Sequence, residues 1–294
     1  LGNVGWFVVP LITFFNTTMV QRYVRIQADS GTVHYGLFQL DHSVILLSAA
    51  PWLGGQALDV AISEGDYRLL APCEPSKIVA VGRNYRAHAA ELGNDVPTEP
   101  LLFFKPPSAI AADQEEIVYP SQSQRVDYEG ELAVIIGKQV KDITEEEAAS
   151  AIWGYTIAND ITARDLQRQD SQWTRAKGFD GFCPLGPWVV RQIDPEARLE
   201  TTVNDEDVPR QATAISDMVF TPPVLVSYIS RVMTLYPGDV ILTGTPEGIS
   251  ALQVGDKVEV EIEGIGNLTN TIIAPPLAAP ELAETVELEV EADN

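Results

Sequence analysis

Basic residues are scarce in this chain: 19 lysines and arginines face 42 aspartates and glutamates over 294 residues, a formal net charge of −23. A nucleic-acid backbone or an anionic membrane surface would be repelled, so neither is an expected partner. An anionic small molecule needs local cations that override this field. Cysteine is almost absent. Cys73 and Cys183 are too few for a disulfide framework or a thiolate zinc site, which fits a reducing, cytoplasmic compartment with both thiols free and partly buried. Long apolar runs are missing too: the stretch from Trp6 to Phe15 is broken by Pro10, lacks a basic flank and falls short of the roughly 20 residues of a membrane span. No GxGxxG or P-loop follows a strand-like segment, which disfavours a doubly wound nucleotide-binding fold.

What remains is a chain with 45% hydrophobic residues and ordinary glycine and proline, long enough for one large domain and a smaller one. Met19, ahead of VQRYVRIQ, reads as the start of the native protein, with residues 1–18 an upstream extension; an extra strand or a partner-binding arm is the competing reading. From Tyr23 to Leu47, short apolar runs alternate with turn residues, which predicts a small β-rich domain over 19–75. The double-proline stretch APCEPSK marks the boundary, and KIVAVG opens a larger domain over 76–275. Its segments PLLFFKP, ELAVIIG, GYTIAND, PLGPWVV, LETTVND and VEVEIEG read as strands. Helices are fewer: RNYRAHAAEL ending at Gly93, TEEEAASAI capped by Thr144, and PPVLVSYISRVMT with apolar spacings of three and four. The end of the chain, 276–294, carries six acids and no base, the composition of a solvated tail.

Chemistry concentrates in VDYEGELAVIIG, residues 126–137, where Asp127, Glu129 and Glu131 precede an apolar strand. Extended side chains alternate with period two, so the three acids would share one face and repel. A divalent cation offsets such a cluster, but Mg²⁺ wants a third carboxylate or several waters. Asp160 is the candidate, since it ends the run GYTIAND and antiparallel strands would bring it beside Glu129 and Glu131. On spacing alone, a solvated strand face is the commoner arrangement. His88 and Glu91, three residues apart, share a helix face; a glutamate accepting from one imidazole nitrogen leaves the other free to take a proton from water. An exposed helix with an incidental pair has the same spacing. His34 and His42 have no assigned role.

Six segments, GRNYRAHAAELG, LLFFKPPSAI, VDYEGELAVIIG, NDITARDLQ, WTRAKGFDGFCPLGP and GDVILTGTPEG, in this order over about 76–270, closely resemble the fumarylacetoacetate hydrolase family. The resemblance implies a mixed β-rich α+β fold, a β-sandwich roll behind the small N-terminal β-rich domain, often as a homodimer. It implies Mg²⁺, or Mn²⁺ or Ca²⁺, held by Glu129, Glu131 and Asp160, with Asp127 outside the ligand set and solvated or supporting. Arg164, Gln167 and Thr245 match substrate-binding positions, and Lys177 matches a catalytic cation that stabilises oxyanion charge. Read without the resemblance, Arg164 is a surface residue of a polar helix and GTP a plain turn. Lys105 matches a recurrent lysine, either an ion-pair partner or a substrate contact. His88 and Glu91 match a water-activating pair on a lid segment.

The implied function is metal-dependent cleavage or decarboxylation of small anionic 2-oxo acids, such as acylpyruvates or oxaloacetate, through an enolate. The chain is shorter than the fumarylacetoacetate hydrolases proper and is similar to the compact acylpyruvate hydrolase and oxaloacetate decarboxylase branch. The H-x-x-E pair favours cleavage over tautomerisation alone. An isomerase or tautomerase on the same fold, or a non-catalytic protein that binds a metal or an oxo acid, are the alternatives.

Overall fold

The computed structural model describes residues 20–276. The expected extension over 1–18 and, apart from Pro276, the expected tail lie outside the described residues.

Apolar runs become strands as their alternation predicts. In Arg22–Ala28, Val24 and Ile26 are buried between partly exposed neighbours. All seven residues of Gly130–Ile136 are buried, because this strand runs through the centre of a sheet covered on both faces. That sheet runs from the edge strand Ala57–Ile62 through Val44–Leu47, Val33–Phe38, Arg22–Ala28, Cys183–Val190, Ile152–Asn159, Gly130–Ile136, Val240–Leu242 and Ile78–Gly82 to Leu101–Lys105. The N-terminal strands join it where Tyr23 pairs with Val189. Most neighbours are antiparallel; Val240–Leu242 and Ile78–Gly82 run parallel.

A second sheet, in the order Gln211–Ala214, Arg198–Val203, Lys257–Ile262, Gly266–Ile273 and Glu116–Val118, packs against the centre of the first. Leu132 and Ile157 from the large sheet meet Leu199, Val260, Ile262 and Leu268 from the smaller one, all buried. Each such side chain contributes roughly 1.5–3 kcal/mol of hydrophobic stabilisation. This is a β-rich roll of two sheets, with helices at the margin.

The helices form where their caps and faces dictate. Glu145–Ala149 opens with a capping box, in which the Glu147 N–H donates to Thr144 Oγ1 at 3.3 Å and the Thr144 N–H donates to Glu147 Oε2 at 2.9 Å. Pro222–Val232 starts on prolines and buries Leu225, Val226 and Ile229 against Val79, Val134 and Ile241. Among the described residues no helix is long and apolar enough to cross a membrane. Cys73 and Cys183 are free and buried, and burial pushes the Cys183 thiol up to about 12.

Register places the site. Gly130 pairs with Asn159 at the mouth of the two central strands, and the Asp160 N–H donates to the Glu129 carbonyl at 2.8 Å. The next neighbour, Val240–Leu242, pairs Leu242 with Ala133, so the turn that follows it lands beside the same end.

Candidate active site

Glu129, Glu131 and Asp160 come together at this mouth, all buried, with one oxygen from each within 4.8 Å of the others. The antiparallel pairing of their strands is the cause. Lys177 bridges two of the three: its Nζ lies 2.8 Å from Glu129 Oε2 and 2.6 Å from Asp160 Oδ2. Lys105 Nζ donates to Asp160 Oδ1 at 2.5 Å and to the Ile161 carbonyl at 3.1 Å, so this lysine is an ion-pair partner of the triad.

Of the two readings of Asp127, solvated or supporting, the second holds: Asp127 is not solvated but fully buried, with Arg164 Nε at 2.9 Å from Oδ2 and Arg125 Nε at 2.9 Å from Oδ1. Nor does it continue the strand of Glu131. Val126–Asp127 pairs with Thr162–Ala163 while Gly130–Ile136 pairs with Ile152–Asn159, and the chain bends between them at Tyr128 and Glu129. Arg164, which reads from its neighbours as a surface residue, is 2% exposed. Its guanidinium donates to Asp127, to Glu129 and, at 2.6 Å, to Gln167 Oε1. The physical reason is charge pairing: a buried carboxylate is tolerated only with such partners, and Arg164, which serves both Asp127 and Glu129, lies more than 30 residues away from each along the chain.

The electrostatics single out Glu131. Burial pushes its carboxyl well above the ordinary range, and the charges of Asp160 and Glu129 add to this. Burial acts on Glu129 in the same direction, but Lys177, Arg164 and His88 outweigh it and hold Glu129 below that range. Burial also opposes the charge on Lys177, which Asp160 and Glu129 nonetheless raise above the usual lysine range. Glu131 receives the Gly244 N–H at 2.6 Å, and among the described residues no cationic side chain pairs with it. Three hard oxygen donors, one of them lacking a counter-charge, fit a divalent cation.

The turn after Val240–Leu242 explains its glycines. Gly244 has φ +96°, and a Cβ there would stand 2.7 Å from Asn84 Cβ, so only glycine brings this N–H onto Glu131. Gly248, at φ +97°, donates its N–H to Glu91 Oε1 at 3.0 Å, and a Cβ there would run into the Arg210 carbonyl. Between them, Thr245 is buried with its hydroxyl already engaged, donating to the Gly130 carbonyl at 2.9 Å and accepting from Gln211 Nε2 at 2.8 Å. Sequence reasoning missed Gln211, whose Oε1 also accepts from the Gly130 N–H, and Asn84, whose amide ties the Phe220 and Thr243 carbonyls. Asn84 stood within a recognisable motif, GRNYRAH. Nothing local marks Gln211 in RQATA.

His88 and Glu91 lie on the helix Arg86–Glu91, with Nδ1 of His88 at 3.1 Å from Glu91 Oε2. His88 is buried, unlike a histidine on an incidentally exposed helix. The pair lines a cavity of about 340 Å³ that is also walled by Glu129, Glu131, Arg164, Gln167, Lys177 and Thr245. Eight of the nine residues singled out from sequence thus face one space, and the ninth, Asp160, joins the triad behind it. Phe103 and Trp173 close one side edge to face, 5.2 Å between ring centres, and Lys177 Nζ lies 4.8 Å from the Phe103 ring centre.

With this geometry, similarity to known proteins becomes informative. Residues 77–273 match the family Fumarylacetoacetate (FAA) hydrolase C-terminal, and residues 21–72 match Rv2993c-like, N-terminal. The chain is 42% identical over 226 residues to oxaloacetate tautomerase YisK of Bacillus subtilis, covering 71% of this chain and 74% of that protein. Among solved structures it resembles a 5-carboxymethyl-2-hydroxymuconate delta-isomerase from Mycobacterium smegmatis, with 43% identity and a TM-score of 0.80 over 86% of this chain and all of the other. A fumarylpyruvate hydrolase from Pseudomonas aeruginosa, solved with Mn²⁺ and pyruvate, matches with 36% identity and a TM-score of 0.65 over 72% of this chain and 94% of the other. The FAA hydrolase match spans most of the chain and the central roll that builds the site: the protein belongs to the fumarylacetoacetate hydrolase family.

Proposed function

We propose that this protein interconverts the enol and keto forms of a small anionic 2-oxo acid of the oxaloacetate class, by moving a proton at the carbon next to the 2-oxo group. The observation that carries the reading is that the His88–Glu91 pair lines one cavity with Glu129 and Glu131, the two triad members in front of Asp160. The sequence alone favoured carbon–carbon cleavage. The tautomerase and isomerase names of two relatives move proton transfer to first place.

Each side chain has a derivable task. Glu129, Glu131 and Asp160 would hold a divalent ion, with Mg²⁺ or Mn²⁺ as the expected identity, which would supply Lewis acidity for enolate formation. With Glu91 accepting from Nδ1, the Nε2 of His88 is the atom that takes the proton from carbon or returns it. The Gly248 N–H fixes Glu91 for that purpose. Lys177 pairs with Glu129 and Asp160 while stabilising enolate charge. Arg164 has two of its five N–H groups left after its bonds to Asp127, Glu129 and Gln167, and these orient the substrate carboxylate with Gln167 and Thr245 lining the wall.

Carbon–carbon cleavage is the second reading, favoured by the same dyad, since a base that reaches carbon also reaches a water, and by the hydrolase named among the structural neighbours. The purified protein assayed with Mg²⁺ or Mn²⁺ separates them: oxaloacetate is followed for enol-to-keto conversion and for CO₂ release, acetylpyruvate for cleavage. Accelerated ketonisation without CO₂ or cleavage supports the tautomerase. Cleavage of acetylpyruvate with no effect on ketonisation reverses the order.

A further inference from the structure

We propose that Arg83 and Arg168 form a second anion subsite at the mouth of the active-site cavity, which holds the far carboxylate of a dicarboxylic 2-oxo acid. The subsite rests on the 2-oxo acid reading above and narrows it to acids charged at both ends.

A chain of net charge −23 repels a dianion unless cations in the cavity are uncommitted. The buried cations are spent: Lys105, Lys177 and Arg164 are all paired with Asp127, Glu129 or Asp160, and the half-exposed Arg125 is paired with Asp127. Arg83 and Arg168 also line the cavity. Among the described residues neither makes an ion pair, although Arg125, Arg164 and Arg210 all do. A guanidinium with a free fork facing a cavity is built to take a carboxylate through two parallel N–H donors.

Position agrees with charge. Arg168 follows Arg164 by four residues on the helix Arg164–Gln169, one turn and about 6 Å along the axis. Arg164 is buried against Glu129 and Arg168 is exposed, so that turn leads from the triad to the mouth. The step is on the scale of a four- or five-carbon dicarboxylate. Arg83 occupies the tight turn between Ile78–Gly82 and the His88 helix at φ +60°, an uncommon conformation for a residue with a Cβ. Asn84 beside it locks that turn by tying the Phe220 and Thr243 carbonyls, which fixes the Arg83 backbone at the cavity wall.

The test uses the full chain with Mg²⁺ and two five-carbon probes that differ only at the far end, 2-oxoglutarate and 2-oxopentanoate, titrated calorimetrically. Two charge-assisted contacts predict that the wild type prefers 2-oxoglutarate by about 100-fold. Arg83→Gln and Arg168→Gln each reduce that preference about tenfold, and the double variant removes it. Arg168 is exposed, so its variant decides the matter even where Arg83→Gln perturbs the turn. Equal affinity for both probes in the wild type, or an unchanged preference in Arg168→Gln, overturns the subsite and leaves the 2-oxo acid reading standing. Failure of both probes to bind removes that reading and the subsite with it.

Discussion

Arg164 donates its Nε–H to Asp127 Oδ2 at 2.9 Å, and both side chains are buried. The pair fixes the guanidinium that also holds Glu129, so an acid outside the proposed ligand set governs the orientation of one inside it. Its worth lies in position more than in stability, because desolvating two charges offsets most of their attraction.

Removing one partner leaves the other stranded. Asp127→Ala is expected to destabilise the protein by about 3 kcal/mol, the lower end for a broken buried pair because Arg164 keeps Glu129 and Gln167. Urea unfolding measures this. A loss below about 0.5 kcal/mol would show that the pair is not holding Arg164 in place.

Cation binding should release protons. A carboxyl raised in the folded state binds its proton more tightly than in the unfolded chain, so the metal-free fold loses stability as pH rises through the folded value of Glu131. Glu129 has the opposite sign: its contribution is present above the ordinary carboxylate value of about 4.3 and is lost as pH falls below it. A divalent ion competes with the Glu131 proton, so affinity rises with pH through that raised value. Calorimetry of Mg²⁺ in two buffers of different ionisation enthalpy reads the proton directly. Identical heats in the two buffers argue against Glu131 as the protonated ligand.

Metal and triad should be linked in stability. At 100 times Kd, a ligand that binds only the folded state adds about 2.7 kcal/mol, so Mg²⁺ raises Tm and a chelator reverses it. In Glu131→Gln this response disappears, while the apo variant is at least as stable as the apo wild type as pH rises through the raised value of Glu131, since the amide cannot take on the unpaired buried charge. An undiminished Mg²⁺ response in Glu131→Gln places the ion elsewhere.

Much of this architecture was legible before any coordinates. Apolar runs marked the strands, Thr144 marked a helix start, and strand ends predicted that Asp160 would meet Glu129 and Glu131, as the pairing of Gly130 with Asn159 brings about. Burial of charge was not legible. Asp127 and Arg164 look like surface residues because their neighbours in sequence are hydrophilic while they pair with each other across 37 residues, and the strand that period two implies is interrupted at Tyr128 and Glu129. Nor is the engagement of the Thr245 hydroxyl legible, since Gln211, which donates to it, lies 34 residues away. Polar groups satisfied across a fold leave no local pattern.

The central claim is that His88 works on a substrate held over the buried triad. Stopped-flow absorbance of oxaloacetate ketonisation under saturating Mg²⁺ tests it most directly, comparing the wild type with His88→Ala. The account predicts acceleration by the wild type and a loss of about 10²–10⁴-fold in kcat for the variant, with Mg²⁺ affinity retained. A His88→Ala enzyme as fast as the wild type, or a wild type no faster than buffer, would contradict it.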